Sequence, residues 1–167
     1  GSEMCIRDRA VSFAKGAQEA GHSVETVYLR EKKVGFCKGC LACLKVGHCV
    51  IADDAVEIAA KMHDSDVIVF ATPVYYYSVS GQLKTVLDRA NPLYDSDYAF
   101  TKVYLLATAA EDAPYVVEGA TKAVQGWVDC FGRCELVDTV FAGGVNDIGD
   151  IAGHPALDKA YRIGKEI

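Results

Sequence analysis

Apolar positions along this chain follow two rhythms in turn, a helical period near 3.6 residues and short, nearly continuous runs suited to buried strands. The first rhythm covers Ala10 to Ala20, an amphipathic helix stopped by Gly21, which readily takes the left-handed position after a helix. His22 to Leu29 (HSVETVYL) alternates as a strand does. Asp53 and Asp54 stand as N-terminal acids before AVEIAAKMH, and Asp66 to Ala71 (DVIVFA) reads as a strand covered on both faces. Ser80 caps a helix over GQLKTVLDRA, and Lys102 to Thr108 (KVYLLAT) gives a second buried strand. Pro114 opens a long helix, YVVEGATKAVQGWVDCF, then Glu135 to Phe141 (ELVDTVF) gives the last strand and Pro155 opens a terminal helix.

Strands and helices alternating at this spacing predict right-handed βαβ units: an α/β fold with a doubly wound parallel sheet and helices on both faces. Such sheets take ligands beyond the carboxyl ends of their strands. Three strand ends here run into loops rich in small or aromatic residues: TPVYYYSVSG, AAEDAP and AGGVNDIG. Backbone amides in such loops can approach a flat ligand while rings stack on it.

At 167 residues the chain is one domain long, about half apolar, with a formal net charge of -6 and no basic run. That balance argues against nucleic-acid and membrane-surface partners, which need a concentrated positive face. No apolar run reaches membrane-spanning length and no signal-peptide pattern opens the chain, so a cytoplasmic location is expected. In that reducing compartment the seven cysteines read as thiols or metal ligands before disulfides.

Cys37, Cys40, Cys43 and Cys49 follow the spacing CxxCxxCxxxxxC. Thiolates this close usually share a metal, which relieves their repulsion. Two adjacent CxxC steps suit a cubane better than structural zinc, which more often takes two separated pairs; bare thiols are the second reading and zinc the third. Cys130 and Cys134 read as small core residues, Trp127 as a core or interface anchor, and Lys84, Asp88 and Arg89 as a local ion-pair group on one helix. The four histidines share no helical face, and no side chain stands out as a general acid or base.

The stretch VIVFATPVYYYSVSGQLKTVLDR (67–89) resembles the signature of the flavodoxin-fold NAD(P)H-dependent FMN reductases, in the branch that includes the iron-sulfur flavoproteins. The cysteine loop FCKGCLACLKVGHCVIADD resembles the same branch, and AEDAP, GGVNDIGDI and HPALDKAYRIGK extend the likeness from Ala10 to the end. The resemblance implies a flavodoxin-like sheet in the order 2-1-3-4-5, FMN as cofactor, NAD(P)H as hydride donor and a homodimer or homotetramer. It places Pro73, Val74, Tyr75, Tyr76, Tyr77 and Ser78 against the isoalloxazine ring, Ala109, Ala110 and Glu111 beside it, and Gly143 and Gly144 in the active-site backbone. It also implies a [4Fe–4S] cluster on Cys37, Cys40, Cys43 and Cys49. The expected function is transfer of electrons from NAD(P)H through FMN to a small acceptor such as a quinone, or through the cluster to a redox protein. The alternative is a non-enzymatic electron carrier.

Relative to that family, the first strand and its phosphate-wrapping loop have no counterpart before Ala10. The first nine residues, GSEMCIRDR, are polar and aperiodic and read as the translation of a sequencing-library adapter. The expectation is therefore an artefactual tail over residues 1–9, a flavodoxin-like domain over 10–167, and weak FMN binding by the chain as it stands.

Overall fold

In the computed structural model, which describes residues 2–167, three parallel strands lie side by side in chain order: β1 (Val67–Pro73), β2 (Lys102–Thr108) and β3 (Glu135–Ala142). β2 sits between the other two and alternates its side chains between two apolar cores. Val103, Leu105 and Ala107 face one, and Tyr104 and Leu106 face the other. This two-sided burial is why KVYLLAT is apolar at nearly every position. The β2–β3 register slips between Val103 and Tyr104, so that Leu136 and Asp138 are the successive partners and Val137 is left out as a bulge.

One face is covered by α3 (Asp54–Asp64), α4 (Gly81–Arg89) and α5 (Glu118–Val128), the other by α1 (Ser2–Glu19) and α6 (Pro155–Glu166). Each cap follows from local chemistry. The Asp53 carboxylate accepts from Ala55 N–H at 3.0 Å, the Ser80 hydroxyl from Leu83 N–H at 3.3 Å, and the His154 ring Nδ1 from Ala156 N–H at 3.1 Å. The aromatic residues Trp127, Phe100, Phe131 and Tyr98 stack among themselves under α5, so Trp127 is a core anchor.

α1 and α6 meet through glycines. A Cβ on Gly16 would lie 2.1 Å from the Tyr161 carbonyl oxygen, and one on Gly164 would lie 2.1 Å from that of Phe13. The two helix backbones touch where neither residue has a side chain, which lets both helices reach the sheet.

Three sequence expectations change here. α1 begins at Ser2 rather than Ala10, and Cys5, Ile6 and Arg9 are buried beneath it, because these positions recur at helical spacing once the segment packs on the sheet. His22–Leu29 is not a strand but extended chain ending in a 3-10 turn over Leu29–Glu31. A strand needs a neighbour to complete its hydrogen bonds, and β1 pairs only with β2 among the described residues. The alternation still does its packing work, since Val27 and Leu29 lie against the core. The long helix after Pro114 is divided into a 3-10 turn, Pro114–Val117, and α5. The three strands observed keep the relative order of the last three strands of a 2-1-3-4-5 sheet.

Arg9 is fully buried and has no carboxylate partner among the described residues. Its guanidinium donates to the Ala107 carbonyl at 2.7 Å and to that of Val140, its Nε has no partner among the described residues, and burial pulls its pKa down to about 10.

Two stability predictions follow from this packing. Gly164→Ala should destabilise the chain by about 1–3 kcal/mol in urea unfolding, since α1 and α6 must separate; a change under 0.5 kcal/mol would refute the close crossing. Arg9→Met should raise stability by about 1–2 kcal/mol, because an uncompensated buried cation is exchanged for an apolar chain of similar length. A loss in the same titration would mean that the two carbonyl contacts outweigh the desolvation.

Candidate functional site

The carboxyl ends of the three strands are laced together. Val74 N–H donates to the Thr108 carbonyl at 2.7 Å, Ala109 N–H to Ala142 at 3.0 Å, and Val145 N–H to Ala109 at 3.0 Å. The loops carrying Pro73–Ser78, Ala109–Glu111 and Gly143–Gly144 therefore form one continuous edge. These sequence-predicted residues are brought together by the fold.

Tyr75 to Ser78 is a tight reversal closed by reciprocal bonds, Tyr75 N–H to Ser78 at 3.0 Å and Ser78 N–H to Tyr75 at 3.1 Å. Its two central residues, Tyr76 (φ 48°) and Tyr77 (φ 60°), are both left-handed, the geometry of a type I′ turn that usually selects Asn-Gly. Bulky residues there cost about 1 kcal/mol or more each, so the surrounding structure must hold them. Two contacts do so. The buried Thr72 hydroxyl accepts from Ser80 N–H at 3.0 Å and donates to the Pro73 carbonyl at 2.9 Å. Gly119 of α5 lies so close under the turn that a Cβ would sit 2.0 Å from the Tyr77 carbonyl oxygen.

The strain presents aromatic surface. The Tyr76 ring is wholly exposed, and Tyr75 and Tyr77 are about half exposed. Tyr77 Oη donates to Glu111 Oε2 at 3.2 Å, Tyr115 Oη donates to Glu111 Oε1, and the two rings lie 6.1 Å apart. Hydrogen bonds to the Glu111 carboxylate push both phenols above their ordinary pKa, because ionising either would lose its bond and then place two anions side by side. Tyr115 escaped sequence reasoning, since it stands four residues beyond Glu111 in what reads as a helix start. Gly143 packs so tightly on the Glu111–Asp112 backbone that a Cβ would lie 2.6 Å from Asp112 Cα, and Gly144 (φ 70°) is left-handed. These glycines let the third loop close on the second.

The cysteine loop lies beside α4. Cys37 and Cys40 are exposed, Cys43 and Cys49 half-buried, and the short helix α2 (Cys43–Val46) buries no residue. Gly39 N–H points at Cys37 Sγ (3.4 Å), and Asn91 Nδ2–H at Cys43 Sγ (3.2 Å). Among the described residues, no three His, Cys, Asp or Glu side chains are drawn close enough to enclose an ion. By its chemistry the donor set suits a thiolate-ligated group, with four thiols on one loop and N–H donors facing the sulfurs of Cys37 and Cys43. His48 bonds no farther than its neighbour, the Val46 carbonyl. Cys130 is exposed and Cys134 half-buried, so only Cys134 adds to the core as expected.

Arg89 departs most from the sequence reading. Lys84 and Asp88 form the local pair, at 2.7 Å, while Arg89 turns inward, with its side chain fully buried. Its Nη1 donates to Asp53 Oδ2 and to the Gly35 carbonyl, both at 2.7 Å. Its Nη2 donates to Asp53 Oδ1 at 2.8 Å and to the Ile51 carbonyl at 3.1 Å. One guanidinium thus joins both ends of the cysteine loop. The hydrogen bonds from Arg89 hold the Asp53 carboxyl down at about 2, and the Asp53 carboxylate in turn raises Arg89. One signal was present in the sequence: Arg89 stands on the helical row of Leu83 and Val86, which faces the core, although its partner is not given by that row.

Comparison with known proteins places this arrangement in a family. The family model described as NADPH-dependent FMN reductase matches residues 7–132, and the chain belongs to that family of oxidoreductases. An iron-sulfur flavoprotein from Archaeoglobus fulgidus is 30% identical over 154 residues, covering 92% of this chain and 68% of that protein. Matches to other proteins of that name span 38% and 39% of their lengths. Among solved structures, an azoreductase from Bacillus anthracis superposes with a TM-score of 0.73 at 18% identity, covering 98% of this chain and 92% of that one. An NAD(P)H:quinone oxidoreductase from Methanothermobacter marburgensis superposes with a TM-score of 0.69 at 20% identity, covering 97% and 88%. The fold is that of the flavodoxin-like reductases. No helix among the described residues is long and apolar enough to cross a membrane.

The clamp predicts an acid response. A carboxylate whose folded pKa lies below its unfolded value stabilises the fold above the ordinary range, and this contribution is lost as pH falls from 3.8 through about 2. For Asp53 it amounts to about 2 kcal/mol at neutral pH. Asp53→Asn should cost about 3 kcal/mol at pH 7, because a buried guanidinium loses its counter-ion, and should flatten the acid limb of the stability–pH curve. Parallel acid limbs for the two proteins would contradict the assignment.

Proposed function

We propose that this protein is an FMN-dependent NAD(P)H oxidoreductase that passes electrons to a small acceptor such as a quinone, with Cys37, Cys40, Cys43 and Cys49 as ligands of a [4Fe–4S] cluster. The observation that carries the reading is the strained Tyr75–Ser78 turn at the carboxyl edge of the sheet. It exposes flat aromatic surface beside a second loop tied to it through Glu111. Backbone strain of this kind persists where a site uses it.

In this reading Pro73 to Ser78 supply backbone and ring contacts to the isoalloxazine. Ala109, Ala110 and Glu111 border its other side, and Gly143 and Gly144 complete the edge. When bound, FMN supplies the hydride-accepting and electron-donating chemistry. The protein's own part is to orient the ring, exclude water from one face of it and set the local charge. The N-terminus of α4, capped by Ser80, provides a positive dipole end beside the turn. Glu111, with both oxygens engaged by tyrosine hydroxyls, is fixed in place bordering the site. No side chain is assigned a proton-transfer role.

The NADPH-dependent FMN reductase family and the iron-sulfur flavoprotein relatives support the choice of flavin and nicotinamide, and the azoreductase and quinone oxidoreductase neighbours support a small flat acceptor. For the cluster, the support is the cysteine spacing and the donors facing the sulfurs. Assembly into a homodimer or homotetramer belongs to the same proposal, supported by the exposed tyrosines along the site edge.

Tyr76→Gly separates the role of the ring from that of the fold. Glycine takes φ 48° without strain and the lost ring buries nothing, so unfolding stability should stay level or rise by up to about 1 kcal/mol. FMN affinity, read by quenching of flavin fluorescence, should fall about tenfold. The wild-type complex should bleach its flavin band with NAD(P)H under anaerobic conditions. A chain that leaves FMN fluorescence unchanged at every concentration would end this reading.

A further inference from the structure

The cysteine loop is held by two residues that carry no thiol. Asn91, at the start of the 3-10 turn Asn91–Leu93 that follows α4, points its side-chain N–H at Cys43 Sγ at 3.2 Å. Arg89, two residues earlier, grips the carbonyls of Gly35 and Ile51, which bracket the loop, and locks onto Asp53 beyond it. Thus the half-buried Cys43 faces a donor on the segment that follows α4, while Cys37 meets a donor of its own loop, Gly39 N–H.

The loop's ends are also joined by Lys33 N–H to Asp54 Oδ2 at 2.6 Å and Gly35 N–H to Asp53 Oδ2 at 2.8 Å, and Arg89 ties this junction to α4, while α2 between the ends is a single turn with no buried residue. We infer that Arg89 and Asn91 are positioning residues for a thiolate-ligated metal group. Arg89 fixes the separation of the loop's ends, and Asn91 orients Cys43 by donating a hydrogen bond to its sulfur. This rests on the proposed reading of Cys37, Cys40, Cys43 and Cys49 as one ligand set. A ligating thiolate carries negative charge, and a donor aimed at it favours that state and fixes its direction. Outer partners of metal ligands commonly tune affinity by about 10- to 100-fold.

The test uses the full chain, reduced and anaerobic, titrated with Co²⁺ alone and followed by the thiolate-to-cobalt charge-transfer absorption, with unfolding midpoints measured in parallel. Asn91→Leu removes the donor at nearly constant volume, and Asn91→Gln keeps an amide donor. Arg89→Lys keeps the charge but not the two-pronged grip. The expected result is about a tenfold or greater loss of Co²⁺ affinity in Asn91→Leu, with the midpoint little changed, and partial recovery in Asn91→Gln. Arg89→Lys should lower the charge-transfer intensity per bound ion, as fewer thiols reach the metal together. Wild-type affinity and intensity in both Asn91→Leu and Arg89→Lys would overturn the inference and leave the four-cysteine reading standing. A wild-type chain with no charge-transfer band, indistinguishable from Cys43→Ser, would remove the four-cysteine reading itself and this inference with it.

Discussion

Everything in this molecule is arranged around the need to bury a parallel strand on both faces. β2 has side chains in two apolar cores and neighbours on both edges, so helices must cover it above and below. That requirement brings α1 and α6 together on one side, close enough to exclude side chains at Gly16 and Gly164. It also sends each chain crossing back to the same end of the sheet, so the three loops meet at the carboxyl edge. The candidate site is thus a by-product of how a parallel ladder is closed.

Two kinds of energy are stored in the fold. One is conformational: Tyr76 and Tyr77 sit in a turn made for Asn-Gly, held by the Thr72 hydroxyl and the close approach of Gly119. The other is electrostatic: a buried guanidinium is tolerated because Asp53 and two carbonyls take up its donors. Arg9 provides the contrast within the same fold. It is equally buried, but it meets carbonyls and no carboxylate, and burial alone governs its pKa. Opposite pKa directions for two buried arginines express the difference between a paired and an unpaired charge.

The Arg89 clamp also links the two halves of the proposed chemistry. α4 is capped by Ser80, just after the tyrosine turn, and ends at Arg89, which anchors the cysteine loop. A nine-residue helix therefore spans from one candidate group to the other. Its packing on Ile58, Met62 and Phe70 keeps that relation rigid.

Much of this was legible in the chain. Apolar periodicity located β1, β2 and β3, the caps at Asp53 and Ser80, and the loops that carry Pro73–Ser78, Ala109–Glu111 and Gly143–Gly144, because each depends on neighbours within a few residues. The spacing of Cys37, Cys40, Cys43 and Cys49 was equally local. Pairing over distance was not legible. HSVETVYL has a strand's alternation, yet a strand exists only where another offers a free ladder. Residues 2–9 look aperiodic until they extend α1 and bury Cys5, Ile6 and Arg9 against the sheet. Arg89 reads as a surface pair of its own helix, and only the folded chain turns it toward Asp53, 36 positions earlier. Sequence alone determined the three strands β1, β2 and β3, the capped helices α3 and α4 and the loops between them, since backbone propensity and side-chain period act locally. Tertiary structure alone decided which partner each buried charge and each open strand edge would meet.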